Sequence, residues 1–230
     1  MIRDAVVLAG GLGTRLGKLV ADIPKPMLPI GNRPFLALLL EYLEKEGIAS
    51  VILCVGYLHD TVVGYFGERF GQLQLRYSIE TQPLGTGGAI ARALRAVDAE
   101  CAFVLNGDTF VKLSYAAMGA AHAASGAAIT VAARRVPDVS RYGELVLHNG
   151  RVAEFREKEG PHPGLVNSGV YVVNRTIFDG YRLPPVFSFE RDFLKSFSAE
   201  IRPAAFLIED YFIDIGIPED YERAQRDLSR

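Results

Sequence analysis

The first apolar run of the chain, 2–9, ends directly in Gly10-Gly11-Leu12-Gly13-Thr14-Arg15. A β-branched stretch of that length reads as a buried strand, and glycines at its end let the backbone turn tightly and present bare N–H groups to an anion. Lys25 follows within Ile23-Pro24-Lys25-Pro26-Met27-Leu28-Pro29-Ile30, where the prolines restrict the backbone around it. Arg15 and Lys25 thus add positive charge beside the glycines, and the pair of motifs reads as a polyphosphate site. Two common glycine motifs do not fit. The stretch from Gly11 to Leu16 lacks the third glycine of the dinucleotide fingerprint, and Gly17-Lys18-Leu19 has neither the upstream spacing nor the hydroxyl of a P-loop.

That strand opens an alternating series. Strands are expected at 2–9, 50–56, 73–80, 102–105 and 127–133. Between them fall helices at 34–46, closed by Gly47, at 60–66, at 86–97, capped by Thr86, and at 115–124. Alternation of this kind predicts an α/β fold with a doubly wound, mostly parallel, Rossmann-like sheet. The second half departs from it. Residues 144–147 and 151–155 flank His148-Asn149-Gly150, whose Asn-Gly pair closes an antiparallel hairpin and makes the sheet mixed. Further strands are expected at 170–173, Ala204–Ile208 and 211–215, with helices at 189–196 and Pro218–Leu228. With no repeat, linker or low-complexity tract, residues 1–230 are expected to form a single domain.

Composition narrows the partners. A formal net charge of -2 gives no general attraction to nucleic acid or to an anionic membrane, so an anionic ligand must be held by locally placed cations. No stretch approaches the ~18 uninterrupted apolar residues of a membrane span, and no basic segment followed by an apolar run precedes the first strand. Cys54 and Cys101 lie inside apolar strand runs, which suits reduced thiols and a cytoplasmic setting. The four histidines are scattered without metal-ligand spacing and are assigned no chemistry. Leu36 to Leu40 and Phe187 to Phe197 suit either the core or a contact between two copies, which leaves homo-oligomerisation open.

In a doubly wound sheet, ligands sit beyond the carboxyl ends of the parallel strands. Three short segments stand there: Gly10 to Arg15, then Gln82-Pro83-Leu84-Gly85-Thr86-Gly87-Gly88, then Asn106-Gly107-Asp108. Gln82 carries a carbonyl and an amide suited to a nucleobase edge, although the glycines after it also suit an ordinary helix start. Asp108 suits a hard cation such as Mg²⁺, with a turn or capping role as the alternative. Asp214, within Phe212-Ile213-Asp214-Ile215-Gly216, is read as a carboxylate among apolar residues that needs a cation and can share a metal with Asp108. Tyr142-Gly143, Glu157-Lys158 and Asn167 offer groups for hydroxyls and a phosphate, against the alternative of a solvated surface.

Read in order, these segments resemble the sugar-1-phosphate nucleotidyltransferases. The resemblance spans nearly the whole chain, and residues 77–89 and 210–221 look most like the guanylyltransferases that act on a heptose 1-phosphate. It implies a nucleotidyltransferase fold and an enzyme that transfers GMP from GTP to the sugar phosphate, with Mg²⁺ as cofactor and pyrophosphate as the second product. Leu8, Gly10, Gly11, Gly13, Thr14, Arg15 and Lys25 would then hold the nucleotide phosphates, and Gln82 and Gly87 the base. Arg15, Lys25 and Asp108 would act in catalysis, Asp108 and Asp214 would bind the metal, and Gly143, Glu157, Lys158 and Asn167 would hold the sugar phosphate. The same reaction with UTP or another sugar 1-phosphate, and a non-catalytic nucleotide-sugar sensor, are the alternatives.

Overall fold

Ala5, Val6 and Val7 are all buried, and because successive strand residues face opposite sides of a sheet, they feed two cores at once. A computed structural model of the chain describes residues 1–11, 23–156 and 160–229. Gly13, Thr14, Arg15, Glu157 and Lys158, expected to hold ligand, lie outside the described residues.

The strands are β1 (Asp4–Leu8), β2 (Pro29–Ile30), β3 (Arg33–Pro34), β4 (Ser50–Val55), β5 (Arg69–Phe70), β6 (Leu73–Ile79) and β7 (Cys101–Asn106). They continue as β8 (Thr109–Val111), β9 (Ile129–Val136), β10 (Glu144–His148), β11 (Arg151–Arg156), β12 (Gly164–Asn174), β13 (Ala204–Ile208) and β14 (Phe212–Asp214). The helices are α1 (Phe35–Lys45), α2 (His59–Phe66), α3 (Gly85–Leu94), α4 (Tyr115–Ser125), α5 (Lys195–Ile201) and α6 (Pro218–Leu228). Ten strands form one sheet in the order β10-β11-β13-β9-β12-β7-β1-β4-β6-β5. β6, β4, β1 and β7 run parallel, as the alternation predicts. β12 runs antiparallel between β7 and β9, and β10 and β11 form the expected Asn-Gly hairpin, so the sheet is mixed. From β1 the chain steps first to β4 and β6 on one side and then to β7 on the other. The strand order therefore reverses between β1 and β7, and a crevice opens there at their carboxyl ends.

Helix α1 covers one face, with Phe35, Leu36, Leu39, Leu40 and Leu43 fully buried. Helix α3 and the aromatic segment with Phe187, Phe189 and Phe193 cover the other. Both runs flagged as possible contact surface are thus core. Among the described residues no helix is long and apolar enough to cross a membrane.

Several boundaries differ from the sequence reading. The expected strand at 170–173 runs over Gly164–Asn174, with its ladder to β9 shifting register between Asn167 and Tyr171, where Gly169 has φ +73. The expected helix at 189–196 is a π-helical turn, Phe189–Leu194, followed by α5. Thr86 does not cap α3, which starts at Gly85; its hydroxyl accepts from the Phe189 N–H (2.8 Å) and donates to Glu190 (2.9 Å). The strand read at 211–215 is shorter and lies outside the main sheet, paired with β8 in a ribbon that sets Asp214 opposite Thr109. β8 has three residues, too few for its alternation to stand out.

His122 ties α4 to the sheet: its Nδ1 accepts from the Thr130 hydroxyl (2.8 Å), and its Nε2–H donates to Asn174 Oδ1 (2.9 Å). Burial lowers its pKa below the ordinary 6.5. The folded state then binds a proton less readily than the unfolded chain. Stability contributed by neutral His122 is present above about pH 6.5 and is lost as pH falls through the lower folded value. Thermal melts between pH 7.5 and pH 5 should show a fall in Tm that is smaller in His122→Gln, and equal falls would contradict this assignment.

Candidate active site

The crevice at the strand-order reversal is a cleft of about 1030 Å³. Leu8, Gly10 and Gly11 line it after β1, Gln82 after β6, and Asn106 and Asp108 after β7. The two central strand ends are locked together: the Gly107 N–H donates to the Leu8 carbonyl (2.9 Å), and a Cβ at Gly107 would stand 2.6 Å from that oxygen, so only glycine fits. Cys54 also lines the cleft, but burial pushes its thiol up to about 12, which keeps it protonated and a poor nucleophile.

Lys25 sits in a 3₁₀ turn, Lys25–Met27, whose prolines restrict the backbone on both sides. Its side chain is 9% exposed, and its ammonium lies 2.5 Å from Asp108 Oδ2 and 3.7 Å from Asp214 Oδ1. A buried ammonium without partners costs several kcal/mol, so the two acids are what permit its burial. Asp214 is one-third exposed rather than enclosed, because neighbouring strand residues alternate: Ile213 and Ile215 point into the core and Asp214 points out. Asp214 Oδ1 also accepts from the Gly216 N–H (2.7 Å), and the Asp108 carbonyl accepts from Ile215 N–H (3.0 Å), which fixes both acids to one ribbon. Two carboxylates from different segments meet at one point, as the sequence reading requires.

Oxygen donors of this kind suit Mg²⁺. Among the described residues no cluster of three or more His, Cys, Asp or Glu could hold a metal. One or two carboxylates are what Mg²⁺ takes when substrate phosphates and waters complete its octahedron, so this donor set fits an ion bound together with a polyphosphate.

The loop after β6 is docked on the aromatic segment. Gly85 has φ +70, and a Cβ there would stand 2.5 Å from the Phe187 carbonyl. Gln82 is exposed at the cleft, whereas Gly87 is buried behind it: its N–H donates to the Phe187 carbonyl (2.9 Å), and a Cβ would collide with the Phe187 ring. Gly143 and Asn167 do not line the cleft. Tyr142 packs edge-on against Phe212, two residues from Asp214, and this brings the Gly143 loop beside the acid ribbon. Asn167 reaches the cleft wall through Tyr171, whose hydroxyl contacts Glu190. Glu190 lines the cleft and was missed by the sequence reading; an acid in the first turn of an aromatic helix was its only signal.

The profile of the Nucleotidyl transferase family matches residues 4–230. The chain is 43% identical over 225 residues to "D-glycero-alpha-D-manno-heptose 1-phosphate guanylyltransferase" of Aneurinibacillus thermoaerophilus, covering 98% of each. It is also 43% identical over 219 residues to the protein of the same name from Campylobacter jejuni, covering 95% of this chain and 96% of that one. Its fold superposes with a TM-score of 0.87 on HddC from Yersinia pseudotuberculosis complexed with GMP-PN, at 38% identity and over 99% of this chain and 100% of that one. A profile that spans the sheet, the lysine turn and the acid ribbon alike leads to one conclusion: the chain belongs to the Nucleotidyl transferase family.

Proposed function

We propose that residues 1–230 form one nucleotidyltransferase domain that transfers GMP from GTP to D-glycero-α-D-manno-heptose 1-phosphate, giving GDP-heptose and pyrophosphate. The observation that carries this reading is the convergence of Lys25, Asp108 and Asp214 at the reversal of the sheet, beside a cleft wall that presents Gln82. The choice of guanine and heptose draws its support from the relatives of that name and from the GMP-PN complex of HddC.

The nucleophile needs no general base. A sugar 1-phosphate has a second pKa of about 6, so at neutral pH it is already largely dianionic. One of its oxygens forms the new bond to the α-phosphorus while the bond from that phosphorus to the bridging oxygen breaks, and pyrophosphate carries the electron pair away. No covalent enzyme intermediate arises. What the chain contributes is alignment of two mutually repelling anions and neutralisation of the charge that gathers between them. In this reading the backbone at Leu8, Gly10 and Gly11, with Gly13, Thr14 and Arg15, cradles the triphosphate. Gln82 and Gly87 hold the base, Gln82 by its side chain and Gly87 by shaping the loop beneath it. Gly143, Glu157, Lys158 and Asn167 hold the sugar phosphate. Lys25 aims a fixed positive charge at the reacting phosphoryl group, and Asp108 and Asp214 would hold Mg²⁺. When bound, that ion supplies charge neutralisation on the phosphate oxygens. We assign the chain to the cytoplasm, a setting that suits its two free thiols.

Removal of the cation is the sharpest single test of the site. Lys25→Met keeps the length of the side chain but leaves Asp108 and Asp214 facing each other, and turnover should fall by ~100-fold or more, the range for losing one charge-stabilising group. A variant within threefold of the parent rate would remove Lys25 from the mechanism. Substrate identity is read from pyrophosphate release with GTP, UTP, ATP and dTTP, each paired with heptose, mannose and glucose 1-phosphates. Release is expected fastest with GTP and the heptose. A preference for UTP would overturn the guanine assignment, and nucleotide binding without release from any pair would favour a sensor.

A further inference from the structure

Glu190 is acceptor to three hydroxyls at once: Thr86 Oγ1 (2.9 Å), Ser188 Oγ (3.3 Å) and the Tyr171 phenol (3.3 Å). Each of these hydroxyls in turn accepts from an N–H. Phe189 N donates to Thr86 (2.8 Å), Arg191 N to Ser188 (3.2 Å) and Asn167 Nδ2 to Tyr171 (2.6 Å). An ionised carboxylate only accepts, so all three hydroxyl protons point at Glu190 and every bond in the network has one direction. The consequence falls on Asn167. Because the Tyr171 proton is committed to Glu190, Asn167 can meet the phenol oxygen only with its Nδ2, and the Gly169 N–H holds its Oδ1 from the other side (3.0 Å). The amide cannot flip, and its second Nδ2 hydrogen is presented in one orientation. Burial, together with the Glu190 charge, holds the Tyr171 phenol well above its ordinary range, so it remains a donor.

The same carboxylate also holds the start of α3, where Thr86 stands in the first turn, directly after the loop that carries Gln82. Loop and helix start are docked together through Phe187 N–H to the Leu84 carbonyl (3.1 Å), Gly87 N–H to the Phe187 carbonyl and Thr86 to Glu190. We propose that Glu190 and Tyr171 are positioning residues: Glu190, through Tyr171, holds Asn167 as a hydrogen-bond donor to the sugar phosphate and, through Thr86, holds the base loop, so that one half-buried carboxylate sets the geometry of both substrate subsites. This rests on the functional reading above, which assigns Asn167 to the sugar phosphate and the Gln82 loop to the nucleotide.

Five variants separate the two arms. KM for the sugar phosphate and kcat are measured with the pair of substrates that the parent protein uses best, and nucleotide Kd is measured by calorimetry with a non-hydrolysable triphosphate. Tyr171→Phe removes only the relay hydroxyl. It should raise the sugar-phosphate KM about tenfold, as loss of one oriented hydrogen bond does, and leave nucleotide Kd within twofold. Thr86→Val should do the reverse, and Thr86→Ser should restore nucleotide affinity. Glu190→Gln replaces one accepting oxygen by a donating NH₂ and should weaken both. Tyr171→Phe combined with Glu190→Gln should raise the sugar-phosphate KM no further than Glu190→Gln alone. A purely structural role predicts lower Tm with no such split. Turnover by the parent protein together with unsplit variants, or an unchanged sugar-phosphate KM in Tyr171→Phe, overturns the relay alone. A parent protein that releases pyrophosphate from no pair overturns the functional reading and the relay with it.

Discussion

One ammonium held between two carboxylates organises the carboxyl edge of this sheet. Lys25 comes from a proline-restricted turn, Asp108 follows β7 and Asp214 ends β14; backbone pairing of β14 with β8 brings the two acids together, and their charge holds the ammonium between them. A lysine buried this deeply would be ruinous alone, and two facing acids would repel. Together they set one formal positive charge against two negative ones, which in the proposed reading leaves room for a further cation beside an incoming polyphosphate. The fold serves this meeting point: the reversal of strand order at β1 opens the crevice, and the Gly107 contact with Leu8 fixes how far apart its central walls stand.

The glycines of the base loop have a double meaning. Their spacing reads as backbone laid bare for a ligand, yet Gly85 and Gly87 are demanded by Phe187, whose carbonyl and ring leave no room for a side chain. Packing against the aromatic segment gives the loop a fixed shape, and the fixed shape is what presents Gln82. In the proposed reading, structural and recognition roles fall on the same residues, because rigidity beneath a binding loop is part of its selectivity.

Much of this was legible in the chain itself. The parallel strands, the hairpin at Asn149-Gly150 and the lysine turn follow from local pattern, since alternation, turn chemistry and proline restriction all act within a few residues. The meeting of Asp108 with Asp214 was legible as a need, an acid among apolar neighbours, though not as a geometry; strand alternation turns Asp214 outward while its neighbours fill the core. What escaped was set by distant partners. Thr86 reads as a helix cap and serves instead as a bridge to Glu190, and β8 exists only because β14 pairs with it. Tyr171 falls within the strand expected at 170–173, and nothing near it in sequence announces that its hydroxyl joins Asn167 of the same strand to Glu190 of a later segment.

The ribbon of β8 with β14 also bears on how the protein comes into being. Asp108 is laid down with the first half of the chain, but its companion acid is set in place only when 212–214 pair with 109–111. A growing polypeptide on the ribosome therefore carries the glycine loop, the lysine and one acid long before it owns the second. The charge balance around Lys25 is therefore completed only when that long-range pairing forms.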